Sequence, residues 1–549
     1  MRRDRCRPMA ELTLPAEILE RTVPDVLDAQ ADRVPDRVAL IADSLLHGTE
    51  QRITFAQLRS DAARFSSALA AAGVGEGDRI GILLDNGSGI EAHIAYHAGH
   101  RLGAVNAALN TRYVERELSY VLEFMDPRAI IFAPEFGPVL QRLAATIPNA
   151  TLFEVSDTPE LGISFREALE GGDPNHPRTP VAEDADAVWV FTSGTTGNPK
   201  AVADTHSAAV ACGHGGIHLY GLSDDAVYQS FAPFFTSTGC NTNLLSCLVA
   251  GCTLAIEPDF DVHETLERMR RWGTTSHFLV NTVLQLIFQR LTPEEIAAQR
   301  FPRLRRVCYG AQAASPEFCR RVWEEIGQGW GVELVNVYGF TESGNCGMFL
   351  RPEDHPIALE RMGAHGISVG RNSFSSWTDY AVLDPDGNPV ALGEIGEICL
   401  RGPSIMRGYV REPESTGDVL KHGWCYSGDL ATIDEDGFVT YIDRGKAIIR
   451  RGGLNISSAE IEGVVMQHPG IAEAAAVPMP NPVLGEDVRV VAVAASDPPP
   501  TAEEIIAWCS ERLADYKVPR QVDFIDALPR NAMNRVIKSV LTGEGSALS

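Results

Sequence analysis

The sequence predicts an α/β protein: a large N-terminal region of α/β subdomains, a β-rich subdomain after it, and a small α+β domain at the C-terminal end. Small and apolar residues at helical spacing, as from Ala63 to Ala72, alternate with short β-like runs such as Arg79-Ile80-Gly81-Ile82-Leu83-Leu84. Alternation of that kind reads as parallel strands joined by crossover helices. The unit recurs at Ala187-Val188-Trp189-Val190-Phe191 and at Arg306-Val307-Cys308-Tyr309-Gly310. After roughly Ser375 the texture changes to short β runs separated by turn signals, including Pro385-Asp386-Gly387-Asn388 and Asp434-Glu435-Asp436-Gly437. Beyond Arg444 come a Gly-Gly turn, a helix-like stretch from Ser458 to Gln467, a β run from Val488 to Ala495 and a final helix near Thr501 to Leu513. Together they make a domain of about a hundred residues, an ordinary size.

Composition bounds the function. At 549 residues and 44% hydrophobic content, the chain exceeds one ordinary core. Its 73 acidic residues outnumber the 47 basic ones for a formal charge of −26, which repels nucleic acid and anionic membranes over most of the surface. An anionic ligand must therefore be held by local donors. The 11 cysteines form no CxxC pair and read as reduced, mostly buried thiols of a cytoplasmic protein. The basic start, Met1-Arg2-Arg3, leads into an acidic, proline-broken stretch rather than the apolar core of an export signal. No window reaches the roughly 18 apolar residues of a membrane span.

The chemistry begins after the β run at Phe191. Thr192-Ser193-Gly194-Thr195-Thr196-Gly197 offers backbone N–H groups and hydroxyls that close around phosphate, with glycines that permit close approach. Lys200 adds a mobile positive charge. The Walker pattern GxxxxGK[ST] is not met, because Asn198 and Pro199 separate the lysine from the second glycine. A surface turn rich in Ser, Thr and Gly is the bland reading of the hexapeptide alone. The preceding β run, the lysine and the motifs that follow favour a phosphate cradle.

With those motifs the sequence resembles the superfamily of adenylate-forming, AMP-binding enzymes: acyl- and aryl-CoA synthetases, peptide-synthetase adenylation domains and luciferases. The resemblance runs over nearly the whole chain. It implies that a monocarboxylic acid is joined to the α-phosphate of ATP with magnesium present, and that the acyl group then passes to CoA. Asn336-Val337-Tyr338-Gly339-Phe340-Thr341-Glu342 matches the second nucleotide motif. It implies Tyr338 on adenine, Thr341 at the phosphates and Glu342 on the metal, roles that suit an aromatic face and a carboxylate. Gly310-Ala311-Gln312 resembles the loop along the adenine, and Asn336 is placed to reach the adenine amino group. Tyr426-Ser427-Gly428-Asp429-Leu430 implies Asp429 as the ribose ligand. Asp443-Arg444-Gly445-Lys446 matches the boundary motif, with Arg444 near ribose or phosphate and Lys446 at the hinge, so that residues 1–443 form the ATP- and acid-binding domain and 444–549 a mobile one. Gly452 and Gly453 match the loop beside the CoA arm; a plain β turn is the alternative there.

Two departures stand out. Pro529-Arg530-Asn531-Ala532-Met533-Asn534-Arg535 carries Arg535 where the family places a catalytic lysine. Arginine keeps the charge, but its planar fork does not place a compact ammonium between two oxygens. Three accounts compete: Arg535 is a working replacement, Lys538 reaches in from the following turn, or the chain binds ATP and reacts poorly. In Pro233-Phe234-Phe235-Thr236-Ser237-Thr238-Gly239, Thr236 replaces the family's aromatic gate. It either opens the acid pocket to a hydrogen-bonding substrate or caps the following helix. Phe235, Thr236, Leu245, Val280 and Met348 are the acid-site residues implied, with no second cation for a dicarboxylate. An acceptor other than CoA, or a weakly catalytic nucleotide-binding homologue, remains the competing reading; a carrier-protein partner is not indicated.

Overall fold

The structure, a computed structural model, describes residues 21–192, 198–310, 314, 316–362, 367–373, 377–444, 448–451, 454–481, 484–513, 515–530 and 536–542. Its described strands fall into four sheets. The first runs Gly408–Tyr409, Lys200–Thr205, Asp186–Thr192, Val105–Ala108, Arg79–Leu83, Ala129–Phe132, Thr151–Glu154, Ile163–Ser164. It is parallel from Asp186–Thr192 outward, and the two strands at its other edge are antiparallel. The second sheet is parallel from Val38–Ser44 through Thr253–Ile256, Val227–Ser230, Ser276–Phe278 and Arg306–Gly310 to Glu333–Tyr338, with antiparallel strands closing both ends. Parallel strands of this kind need both faces covered, which explains their unbroken apolar runs.

Two helices form the layer between these sheets. Gly89–Arg101 and His206–Tyr220 each contact strands of both. All 13 residues of Gly89–Arg101 are buried, as a helix enclosed on every side requires. Small residues make the approach possible: a Cβ on Gly99 would sit 2.3 Å from Asn106 Oδ1. The helix also buries three histidines, His93, His97 and His100.

The change of texture after Ser375 marks a third, antiparallel sheet of Asp379–Leu383, Gly396–Arg401, Trp424–Ile433, Leu420–Lys421 and Val439–Arg444. The fourth sheet lies in the C-terminal region, where Leu454–Ser457, Ile448–Arg451, Gly485–Ala494 and Ile471–Asn481 are antiparallel neighbours and Gln521–Phe524 adds in parallel. Helices Ser458–Val465 and Ala502–Ser510 pack on it through Ile461, Val465, Ile505 and Cys509. Thr501 caps the second of these in a reciprocal pair with Glu504: the Glu504 N–H donates to Thr501 Oγ1 at 3.2 Å and the Thr501 N–H to Glu504 Oε2 at 2.8 Å. That helix is not the last, because the short turn Lys538–Leu541 follows it. Four residues hold too little periodicity to register in the sequence.

Candidate active site

The second sheet brings two of the motifs side by side. Arg306–Gly310 and Glu333–Tyr338 are parallel neighbours, with Gly310 opposite Val337, and both end on the same rim. In open α/β sheets that rim, at the carboxyl ends of the strands, is where ligands bind. Gly310 has φ +140°, and a Cβ there would lie 2.3 Å from the Val337 carbonyl oxygen. Only glycine lets the chain leave the sheet at this point. Asn336 and Tyr338 sit two residues apart and so share a face of the strand; both are mostly buried.

Tyr338 joins this sheet to the antiparallel one. Its hydroxyl donates to Asp429 Oδ2 at 2.8 Å. Asp429 is itself 4% exposed, and it stands opposite Arg444 in the pairing of Trp424–Ile433 with Val439–Arg444. Burial, then the neighbouring Asp429 charge, raise the Tyr338 hydroxyl well above the usual phenol range. It stays a donor. The ring predicted for adenine and the carboxylate predicted for ribose are thus in direct contact.

The first sheet supplies the phosphate side. Thr192 and Lys200 are directly opposed across an antiparallel pair, and Thr192 Oγ1 donates to the Lys200 carbonyl at 3.3 Å. The glycine loop therefore joins two hairpin strands, and strand Lys200–Thr205 rather than a helix follows it. Lys200 Nζ donates to Ser415 Oγ at 2.6 Å, lies 3.1 Å from Glu412 Oε2 and stands 5.0 Å from the centre of the Tyr409 ring. The Tyr409 hydroxyl in turn donates to Glu342 Oε1 at 2.6 Å. Glu342 lies in the single turn Thr341–Ser343, just after Gly339, whose Cβ position is filled by the Asn345 carbonyl at 2.5 Å. Lys200 and Glu342, far apart in sequence, are linked through one aromatic side chain.

Tyr409, Glu412 and Ser415 were not among the residues that the sequence singles out. Their signal is modest: a Gly-Tyr pair, then Pro413 opening the helix Pro413–Val419. What makes them neighbours of Lys200 is the pairing of Tyr409 with Val202, a contact between segments two hundred residues apart.

On the side predicted for the acid, Thr236 makes two local hydrogen bonds. Its Oγ1 donates to the Pro233 carbonyl at 2.7 Å and accepts from the Gly239 N–H at 3.1 Å. The second bond lies at the start of the π-helical turn Thr238–Asn243, whose N-cap position is Ser237. Phe235 is 6% exposed and belongs to the central core. Val280 starts the helix Asn281–Arg290 and keeps some exposed surface. Met348 has no exposed surface and packs in one cluster with Tyr338, Ile398 and Leu400, and Leu245 is 1% exposed in the core. An apolar side chain in a β or helical segment is as easily spent on a core as on a pocket, and the pattern is the same.

Ser193, Gly194, Thr195, Thr196, Gly197, Ala311, Gln312, Lys446, Gly452, Gly453 and Arg535 lie outside the described residues, as does the side chain of Arg444. Lys538 is described. Its Nζ donates to Ser458 Oγ at 2.5 Å and lies 2.7 Å from Glu462 Oε1, both within the C-terminal region.

Tyr338 ends a strand of the second sheet, Glu342 lies in the turn that follows, Lys200 begins a strand of the first, and Asp429 meets Tyr338 from the antiparallel sheet, a placement at the rim where α/β enzymes bind ligands. The chain matches the AMP-binding enzyme family over residues 27–410 and the AMP-binding enzyme C-terminal domain over 460–534. It is 32% identical over 511 residues to a feruloyl-CoA synthase from Amycolatopsis sp, covering 91% of this chain and 96% of that one. It is 30% identical to a 2-succinylbenzoate–CoA ligase from Geobacillus kaustophilus, over 95% of this chain and 97% of the relative. Among solved structures, o-succinylbenzoate CoA synthetase from Bacillus subtilis in complex with its acyl-adenylate intermediate superposes with a TM-score of 0.82 at 27% identity, covering 95% of this chain and 98% of that one. The same enzyme with ATP and magnesium ion superposes with a TM-score of 0.81. The chain belongs to the AMP-binding enzyme family.

Proposed function

We infer that the protein is an AMP-forming acid–CoA ligase, which joins a carboxylic acid to the α-phosphate of ATP, releases pyrophosphate and passes the acyl group to the thiol of CoA. Its curated relatives are CoA synthases and ligases, matched almost end to end. The observation that carries the reading on this chain's own residues is the 2.8 Å bond from the Tyr338 hydroxyl to Asp429, which sets an aromatic face and a buried carboxylate together at the sheet rim. Tyr338 stacks on adenine, Asn336 reaches its amino group, and Asp429 accepts from the ribose hydroxyls. Lys200, with Thr192 and the loop 193–197, meets the phosphates, Thr341 approaches them from its turn, and Arg444 lies near ribose or phosphate. Glu342 fits a hard cation, since it is a carboxylate set in a turn two residues past the strand-end glycine. Magnesium, when bound there, neutralises phosphate charge.

In the same reading the acid is a monocarboxylate held near Phe235, Thr236 and Val280, and Arg535 stands beside its carboxylate. Residues 444–549 turn about Lys446 between the two half-reactions, with Gly452 and Gly453 beside the CoA arm. The ten described cysteines are all buried and unpaired, which supports a reducing compartment such as the cytoplasm. No described helix is long and apolar enough to cross a membrane.

The test is acid-dependent pyrophosphate release and CoA-dependent thioester formation over a panel of aromatic and aliphatic acids, with wild type, Arg535→Lys and Arg535→Ala. Wild type is expected to do both, and Arg535→Ala to lose at least tenfold in the first. Pyrophosphate release without any CoA thioester would move the acceptor to an amine or a carrier thiol. Nucleotide binding with no pyrophosphate release would leave a homologue that has lost the chemistry.

A further inference from the structure

The segment from Gly408 to Thr416 is held more firmly than a surface loop needs to be. The Met406 N–H donates to the Glu342 carbonyl at 2.9 Å, the Arg407 N–H to Ala203 and the Val410 N–H to Ala201, so the segment is pinned both to the strand of Lys200 and to the turn of Glu342. Thr416 Oγ1 accepts from the Tyr409 N–H at 2.9 Å and donates to the Glu412 carbonyl at 2.9 Å, tying the two ends together. Arg411, between them, has φ +60°, a left-handed conformation that L side chains rarely adopt. Its guanidinium donates to the Phe124 carbonyl at 2.7 Å and lies 5.0 Å from the centre of the Phe124 ring, so the conformation is over-determined from outside. Strain kept in place by its surroundings is a mark of functional positioning.

The segment positions two charged groups of the site, Lys200 and Glu342. Glu412 Oε2 is 3.1 Å from Lys200 Nζ, and Ser415 bridges the pair, accepting from Lys200 at 2.6 Å and donating to Glu412 at 2.8 Å. Tyr409 holds Glu342 Oε1. We propose that Glu412 is the counter-ion of Lys200 before nucleotide arrives, exchanged for phosphate when ATP binds, and that Tyr409 is a positioning residue which fixes the Glu342 carboxylate for its cation. The proposal rests on the reading that Lys200 and Glu342 serve ATP and magnesium. The exchange is between like partners: the lysine leaves one anion for another, so the ammonium is never buried alone, and part of the phosphate's binding energy is spent on releasing Glu412. Removing the carboxylate should therefore tighten ATP binding, provided Lys200 is present.

Titration calorimetry of the full chain with ATP, with and without magnesium, tests this on wild type, Glu412→Gln, Lys200→Ala, the double variant and Tyr409→Phe. Glu412→Gln is expected to bind ATP at least threefold more tightly than wild type and to give no gain in the Lys200→Ala background. Tyr409→Phe is expected to need at least threefold more magnesium for half-maximal ATP binding, with binding in the absence of magnesium unchanged. A Glu412→Gln protein that binds ATP no better, or one that gains equally without Lys200, overturns the counter-ion. An unaltered magnesium requirement in Tyr409→Phe overturns the positioning role. A wild type that binds no ATP, or a Lys200→Ala protein that binds it as wild type does, instead removes the nucleotide reading underneath, and the proposal with it.

Discussion

Tyr338 carries two interactions on one side chain: a ring face at the sheet rim and a hydroxyl that donates to Asp429 at 2.8 Å. They separate by substitution. Tyr338→Phe keeps the ring and deletes the donor to a buried carboxylate, a hydrogen bond worth about 1.5–3 kcal/mol when its partner is charged. ATP affinity in the Phe variant is expected to fall by about tenfold, the lower end of that range. Tyr338→Ala, which loses the ring as well, is expected to fall further. Calorimetry with ATP checks both, and a Phe variant that binds as tightly as wild type would mean that the hydroxyl orients nothing the nucleotide uses. Residue identity was the most legible layer of this protein. Tyr338, Asp429, Glu342 and Lys200 each sit in a local run of sequence whose order survives any arrangement of sheets. Tyr409 does not, because its meaning comes from the strand pairing that sets it against Val202.

At the scale of elements, the strand Arg306–Gly310 ends where it does because Gly310 cannot carry a side chain. Gly310→Ala would drive a Cβ to 2.3 Å from the backbone oxygen of Val337, and backbone cannot step aside as a side-chain tip can. The expected cost is about 2 kcal/mol or more, against about 1 kcal/mol for Gly331→Ala, where φ is +68° but nothing lies within 4 Å. Thermal unfolding of the two variants, with and without ATP, compares them. Equal losses would show that backbone conformation, not the contact with Val337, is what matters at Gly310. The strands themselves were readable: the β runs predicted at Arg79, Ala187 and Arg306 appear as Arg79–Leu83, Asp186–Thr192 and Arg306–Gly310. Their order across two sheets was not, because long-range pairing leaves no local period. The π-helical turn Thr238–Asn243 was equally hidden, and so was the local bond beside it, in which the Thr236 hydroxyl donates to the Pro233 carbonyl.

At the scale of the whole molecule, buried histidines, most of them in the layer between the two large sheets, set one share of the pH dependence. Burial holds His93 down to about 4, His97 down to about 3 and His206 down to about 4, and pushes His100 well below the usual histidine range. His355, in the second core, is held down to about 4 by the same cause. The unfolded chain takes up these protons near pH 6.5, where the folded one refuses them. Stability from these groups is therefore present above about pH 6.5 and lost as the pH falls toward 4, at about 1.4 kcal/mol per pH unit for each proton. Asp204 works on the other side. Burial, with the Glu342 charge nearby, raises it to about 8 even though Asn241 Nδ2 donates to it at 2.7 Å. The unfolded chain releases that proton near pH 4, so this contribution declines as the pH rises from 4 to 8. Several histidines outweigh one aspartate below pH 6.5, and the aspartate alone acts above it, so these groups place the optimum close to pH 6.5. Two substitutions separate the limbs. Neither ring nitrogen of His97 has a hydrogen-bond partner among the described residues, so His97→Phe, which has no group to titrate, is expected to remove one proton's worth of slope from the acid limb. Asp204→Asn is expected to flatten the limb between pH 6.5 and 8 and, because its opposing slope starts near pH 4, to steepen the acid limb by one proton's worth. Melting temperature followed from pH 4.5 to 8.5 reads both, and an acid limb unchanged by His97→Phe would mean that water reaches this layer and the helix between the sheets is less sealed than its packing implies.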